Sequence, residues 1–275
     1  MPELPEVETA RAAIEKAALH REIADVDDAD AYVCRPHQSG ELRAVLVGRE
    51  LTSARRRGKT MWCDTALVGG APDPSPGLAL GLHLGMAGRI YVTDADGILA
   101  EGGDPIRLGP GIPQSQWDRF TLTFTDGGTL RLFDKRRLSR VRLDPDIDAL
   151  GPDAQTVSRT EFRAAISGSR APIKARLLDQ GVIAGIGNLL ADEALWQARI
   201  SPSRPVDELT TRQLTRLHDT VHAAVASAIA GGGVHTGAMI NSRARDAVCP
   251  RCGAPMARGT VGGRTTWWCS REQRR

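Results

Sequence analysis

The stretch GVIAGIGNLLADEAL, residues 181–195, decides how the second half of this chain is read. Its first eight residues, GVIAGIGN, hold three glycines, and each glycine costs about 1 kcal/mol relative to alanine inside a helix. That part is therefore not a helix. The residues that follow, Leu189 to Ala198, form an apolar helix-like run, and Pro172 to Asp179 upstream form another. A glycine-rich connector of this length between two helices predicts two turns rather than one. Further helices are expected over Thr160 to Ser167 and over Thr210 to Ala230. Thr210 and Gln213 have the spacing of a capping box, and Gly231-Gly232-Gly233 ends the last helix.

Before Asp144-Pro145 the pattern is different. Residues 3 to 19 have a helical spacing, with Val7, Ala10 and Ile14 on one side. Short strand-like runs then follow at Leu42 to Val47, Met61 to Thr65, Leu78 to Leu84, Arg89 to Val92, Phe120 to Phe124 and Thr129 to Phe133. Thr125-Asp126-Gly127-Gly128 is a hairpin signal between the last two. Residues 68–77 and the segment from Asp94 to Ser115 have loop composition. The reading is an α+β multidomain chain: an N-terminal helix on a β-sandwich over 1–145, a helical domain over 150–233, and a small cysteine-bearing hairpin over 245–275.

The composition sets bounds on function. The chain has 275 residues, 41% of them hydrophobic, which is enough for real cores. It holds no apolar run of membrane-spanning length, so no membrane partner is expected. The start is acidic and lacks the apolar core of a signal peptide, so a cytoplasmic location is expected. Net charge is only +3, but it is unevenly spread. Arg131 to Arg142 (RLFDKRRLSRVR) carries six basic residues and one acid, Ile240 to Arg275 carries eight arginines, and Arg55, Arg56, Arg57 and Lys59 form a third cluster. Such clusters are the footprint expected of a phosphate backbone, although any one of them can be a solvated face. Lysine is rare here, with only Lys16, Lys59, Lys135 and Lys174 among 36 basic residues. An ammonium and a guanidinium are not interchangeable, so each lysine is a candidate chosen residue.

The cysteines divide into two groups. Cys34 and Cys63 have the surroundings of reduced core thiols. Cys249, Cys252 and Cys269 have the spacing C-x₂-C-x₁₆-C of an incomplete zinc ribbon, with Glu272 where a fourth cysteine belongs. Three readings stay open. Glu272 is the fourth ligand of a structural Zn²⁺; or zinc is bound weakly with water; or the hairpin holds without metal, through Trp267 and Trp268.

The N-terminus raises a chemical possibility. Removal of Met1 would make Pro2 a secondary amine, and an α-amino group titrates at about 7.7–8.0 against about 10.4 for lysine. An unprotonated fraction can then attack an electrophilic carbon. The plain alternative is that Pro2 and Pro5 stiffen an arm.

These pieces occur in a fixed order: PELPEVE, HLGMAG (83–88), DKRRL (134–138), GIGNLLADEAL (185–195) and a C-terminal CxxC. Together they resemble the formamidopyrimidine-DNA glycosylase and endonuclease VIII family of base-excision repair enzymes. The resemblance runs from Pro2 to Cys269. It implies a helix-two-turn-helix domain and a zinc or zincless finger, with damaged double-stranded DNA bound between them and the sandwich by a monomer. It also implies site residues. Pro2 would attack C1′, expel the base and form a Schiff base, after which β- and δ-elimination cut the strand. Glu3 would be the acid/base, needing a raised pKa, and Glu6 would help position the helix or open the sugar ring. Lys59 would meet the scissile phosphate, Lys174 the lesion backbone, Asn188 and Arg264 the flanking phosphates, and His83 the DNA beside them. Met86, Arg136 and Leu138 would fill the gap left by the flipped base. Leu138 stands where the oxidised-purine branch has a phenylalanine, so it wedges without an aromatic face.

Residues 234–248 (VHTGAMINSRARDAV) are short where oxidised-guanine enzymes carry a longer loop over the flipped base. Weak excision of 8-oxoguanine is expected. The alternative is a non-enzymatic damage-binding protein on the same fold, but a pure binder needs neither a nucleophile nor its proton partner.

Overall fold

The computed structural model describes residues 2–69, Ser75, 77–105 and 115–274. They divide into two compact units. One contains Pro2 and Glu6–Ile147; the other contains Glu3–Pro5 and Asp148–Arg275.

The first unit is an antiparallel sandwich with helix α1 (Leu4–Ala17) in its core. The five-stranded sheet has the order β1 (Ile23–Asp27), β7 (Asp118–Phe124), β8 (Thr129–Phe133), β5 (Arg89–Thr93), β6 (Leu99–Gly103). The four-stranded sheet runs β2 (Arg49–Arg57), β3 (Thr60–Leu67), β4 (Ala79–His83), β9 (Arg140–Leu143). Alternation drives this arrangement. In β7, Phe120, Leu122 and Phe124 point inward while Thr121 and Thr123 are half-exposed. Val7, Ala10, Ile14 and Ala18 pack against the inner faces of both sheets in one continuous core. Cys34 and Cys63 are buried there, and burial pushes both thiols up to about 12, as inert core groups require.

Two readings of this region need correction. Leu42 to Val47 is not a strand. It is a short helix, α2 (Glu41–Leu46), whose Leu42 and Leu46 are one turn apart and both buried. Six residues are too few to display a helical period, so the apolar content resembled a strand. The segment from Asp94 to Ser115 is also not all loop, because β6 lies within it; residues 106–114 and most of 70–76 lie outside the described set. Strands β1, β2 and β9 were not expected either. β2 reads RELTSARRR, and its charges mask the inward Leu51 and Ala54.

The second unit is helical, as expected. α3 (Arg159–Ile166), α4 (Ile173–Leu178), α5 (Asn188–Gln197) and α6 (Thr211–Ala230) surround an apolar core. Both bonds of the Thr210–Gln213 capping box form, and Ser158 with Glu161 makes a second box on α3. Between α4 and α5 the backbone makes its two turns. Ile183 N–H donates to the Asp179 carbonyl, and the Gln180 side chain bridges Gly185 and Ile186. The unit ends in the hairpin β10 (Met256–Val261) and β11 (Arg264–Cys269).

A histidine pair ties α6 to the entry of α3. His218 and His222 stack at 4.1 Å, and their Nε2 atoms lie 2.9 and 3.0 Å from the same acceptor, the Val157 carbonyl. Burial, then the neighbouring His218, lowers the pKa of His222. The unfolded chain therefore takes up that proton first, at about 6.5. Stability from the neutral ring is complete above that value and is lost as pH falls below it. Thermal midpoints should fall between pH 7.5 and 5.5, and fall less in His222→Gln. His83, whose pKa burial also lowers, retains part of the effect. An identical drop in wild type and variant would exclude this role.

Candidate functional site

Within the second unit, Glu3 is the organising group. It is buried, and its carboxylate accepts three backbone N–H groups: Gly187 at 2.9 Å, Leu189 at 2.8 Å and Leu190 at 3.1 Å. These are the free donors at the N-terminus of α5, where a negative charge is favoured. The glycine at 187 is required, since a Cβ there would stand 2.2 Å from the Glu3 carboxyl carbon. Burial thus comes with three donors suited to a carboxylate rather than leaving Glu3 in an apolar pocket. Pro2, one residue before, is buried, and Glu6, also buried, lies in the first turn of α1.

Asn188 opens α5. Its Nδ2 carries two hydrogens and donates one to the Thr265 carbonyl at 3.1 Å. Thr265 follows Arg264, which is exposed at the start of β11 beside the Gly262-Gly263 turn. Asn188 and Arg264 are therefore brought together at one edge of this unit.

Lys174 is buried. Its side chain is 0% exposed, and its ammonium lies 2.6 Å from Asp192 Oδ1 and 2.8 Å from Thr266 Oγ1. Asp192 Oδ2 in turn accepts from Arg243 Nε at 3.1 Å and from the Trp267 N–H at 3.3 Å. An ion pair alone would raise the lysine and lower the aspartate. Burial dominates both, pushing the ammonium down and the carboxyl up. Lys174 thus faces inward and joins α4, α5 and β11. Its spacing within the motif was visible; its partner Asp192 was not singled out, although an acid pair inside the apolar run LLADEAL was the available signal. The other acid, Glu193, accepts the Met239 N–H at 2.9 Å. Residues 234–243 form two 3₁₀ turns, Val234–Thr236 and Ile240–Ser242, pinned by these two consecutive acids.

In the first unit the two wedge motifs meet. Gly85 has φ +57°, and a Cβ there would overlap the Leu138 backbone at 2.3 Å, so the HLGMAG and DKRRL turns touch main chain to main chain. DKRRL is wound around a buried acid. The Asp134 carboxylate accepts from Arg136, Leu138 and Ser139 N–H, each at 2.8 Å. Met86 is 36% exposed, Arg136 is exposed and Leu138 half-buried. All three expected wedge residues therefore share one place. His83 accepts the Gly85 N–H on Nδ1 at 3.0 Å, and burial, then the charges of Lys59 and Arg142, lowers its pKa. That places the remaining ring proton on Nε2. His83 and Lys59 thus influence one another. The neighbouring basic cluster is less free than its sequence suggests: Arg55 pairs with Asp64 and Arg56 with Glu8, both at 2.8 Å.

The cysteine group is closed. Ligand atoms of Cys249, Cys252, Cys269 and Glu272 all lie within 4.8 Å of one another, and the Cys252 and Cys269 sulfurs are 3.5 Å apart. A tetrahedral metal with bonds of about 2.3 Å sets its sulfurs about 3.8 Å apart, so this set can hold a metal ion. Burial raises the Cys249 thiol, but the Trp196 indole N–H and two backbone N–H groups outweigh it, bringing it down to about 7, favourable to a thiolate ligand. Glu272 also pairs with Arg251 at 3.0 Å and Arg199 at 3.8 Å.

Comparison with known proteins places this geometry. Residues 1–141 match the formamidopyrimidine-DNA glycosylase N-terminal domain, and residues 149–238 match the formamidopyrimidine-DNA glycosylase H2TH domain. The chain is 33% identical to formamidopyrimidine-DNA glycosylase of Geotalea uraniireducens, over 99% of this chain and 100% of that one. It is 31% identical to that of Nocardia farcinica, over 100% and 99%. Among solved structures, Lactococcus lactis Fpg in complex with abasic-site DNA superposes with a TM-score of 0.78 at 26% identity, covering 99% of this chain and 100% of that one. The same enzyme with DNA containing an oxidised pyrimidine gives 0.79 at 26% identity, covering 100% of both chains. Among the described residues no helix is long and apolar enough to cross a membrane. This chain belongs to the formamidopyrimidine-DNA glycosylase family.

Proposed function

We propose that this chain is a base-excision repair glycosylase and abasic-site lyase that acts on damaged double-stranded DNA through the amine of Pro2. The observation that carries the reading is the anchored Glu3 carboxylate, one residue from Pro2 and seated on the helix that begins with Asn188. With Met1 removed, the Pro2 nitrogen bonds to C1′ of the damaged nucleotide. The C1′–N bond to the base breaks, and the base leaves with a proton. The C1′–O4′ bond then breaks, O4′ takes a proton, and the iminium so formed between C1′ and the Pro2 nitrogen acidifies the C2′ proton. Its loss expels the 3′ phosphate, and loss of a further sugar proton expels the 5′ phosphate. Glu3 begins as the carboxylate its three donors favour, receives protons from these steps and returns them. Glu6 assists at the sugar, and Lys59, His83, Asn188 and Arg264 each meet backbone phosphate. Lys174, held by Asp192 and Thr266, positions β11. Met86, Arg136 and Leu138 fill the space vacated by the extruded nucleotide.

Borohydride trapping on a duplex with one abasic site tests this, using protein whose N-terminus is verified by mass. Wild type should give a covalent protein–DNA band, and Pro2→Gly should lose it. Tight binding without any trapped band would favour the damage-binding alternative.

The lesion preference follows from residues 234–248. Pinned to Asp192 and Glu193, they offer little chain to cover a flipped purine. Single-turnover excision of 8-oxoguanine should be at least tenfold slower than processing of ring-opened purines or abasic sites. Equal rates would refute it.

Cys249, Cys252, Cys269 and Glu272 would hold a zinc ion, which would supply structural rigidity to the hairpin. Purified protein should contain about one zinc per chain, and the cobalt-substituted form should show tetrahedral absorption bands that shift in Glu272→Gln. Metal-free protein with an unchanged melting curve would show that the hairpin stands without it.

A further inference from the structure

We propose that Tyr32, Arg35 and Arg140 form a second phosphate-binding site, which takes a backbone phosphate of duplex DNA away from the reaction centre. The inference rests on the DNA-repair reading above and extends its footprint to residues that reading does not use.

Tyr32 is 47% exposed, an unusual position for an aromatic ring on a loop. Three guanidinium groups surround it: Arg35 at 3.9 Å from the ring centroid, Arg140 at 4.7 Å and Arg137 at 5.9 Å. Their charges are unequally compensated. Arg137 forms a bidentate pair with Asp30 at 2.9 and 2.8 Å. Among the described residues, no carboxylate lies within ion-pair distance of Arg35 or Arg140. Each donates a single hydrogen bond, Arg35 to the Tyr32 carbonyl at 2.9 Å and Arg140 to the Ser139 carbonyl at 2.6 Å. A guanidinium has five N–H donors, so most of theirs remain for a ligand. Two cations without a carboxylate partner beside one exposed ring raise the local positive potential, which favours an anion.

The platform is rigid. The Asp30 carboxylate accepts Tyr32 and Val33 N–H, Val33 and Cys34 are fully buried, and Val141 N–H donates to the Val33 carbonyl at 3.0 Å. Contact with the ring restrains the guanidinium groups, which lowers the entropy lost on binding. A planar fork of this kind suits phosphate oxygens. The ligand is a polyanion that also reaches the wedge and the candidate phosphate contacts. Arg140 lies two residues after the DKRRL turn and lines a small cavity with His83, Thr60, Arg142 and Asp146. A DNA backbone meets that continuity; an isolated anion does not require it.

The test is the salt dependence of binding to a duplex carrying an uncleavable tetrahydrofuran abasic analogue. Loss of one phosphate contact reduces the slope of log Kd against log salt by about 0.9. Arg35→Gln with Arg140→Gln should show that reduction and bind several-fold more weakly at moderate salt. Its single-turnover rate at saturating enzyme should equal wild type. Arg35→Lys with Arg140→Lys, which keeps the charges, should keep the slope. An undiminished slope in the glutamine variant overturns this site alone. Failure of the wild-type chain to bind the duplex overturns the DNA-repair reading and this site with it.

Discussion

The interaction on which the site depends is the seat of Glu3 at the start of α5. A carboxylate without partners in the interior would cost several kcal/mol. Here three main-chain N–H groups receive it, and those groups were themselves in need of acceptors. One contact thus resolves two desolvation problems. It also fixes position, because three hydrogen bonds hold the carboxylate on the first turn of α5. The absence of a side chain at Gly187 is what lets the carboxyl come so close.

The same device recurs at Asp134. Its carboxylate gathers the N–H groups of Arg136, Leu138 and Ser139, so an arginine-rich turn keeps its shape without any arginine folding back to neutralise it. The basic side chains can then point outward. Asp192 uses side-chain cations as well, joining Lys174 and Arg243 below the hairpin that carries Arg264. Removing one partner of such a buried pair typically costs about 3–5 kcal/mol. Lys174 therefore contributes through the stability and placement of β11.

Much of this was legible in the sequence, and unevenly. The helical unit was read nearly to the residue because caps and apolar period agree: Thr210 with Gln213 marks α6, and the glycines of 181–187 mark the two turns. Strands were read where neutral alternation is clean, as in β7, and missed where charges occupy the outward positions, as in β2, or where only four residues pair, as in β9. Site residues were visible as an ordered set of short motifs. What the motifs could not convey was environment. The rarity of lysine drew attention to Lys174, but its burial depends on Asp192 and on Thr266, far along the chain. Asp134 appeared as the one acid in a basic run, and its function emerges only when three N–H groups are seen to converge on it.

The cysteine group shows how a local departure can preserve a larger balance. Four thiolates around a divalent ion carry a net charge of about −2, and three thiolates with one carboxylate carry the same. Glu272 for cysteine therefore changes donor softness without changing charge. Arg251 and Arg199, which face that carboxylate, would meet the same field in either case. The longer glutamate side chain places its charge where Arg251 can reach it while stacking on Trp196, the residue whose indole N–H also supports Cys249. A carboxylate shared between an arginine and a metal would give up some of its donor strength to each. Glutamate in place of cysteine would thus act on metal affinity.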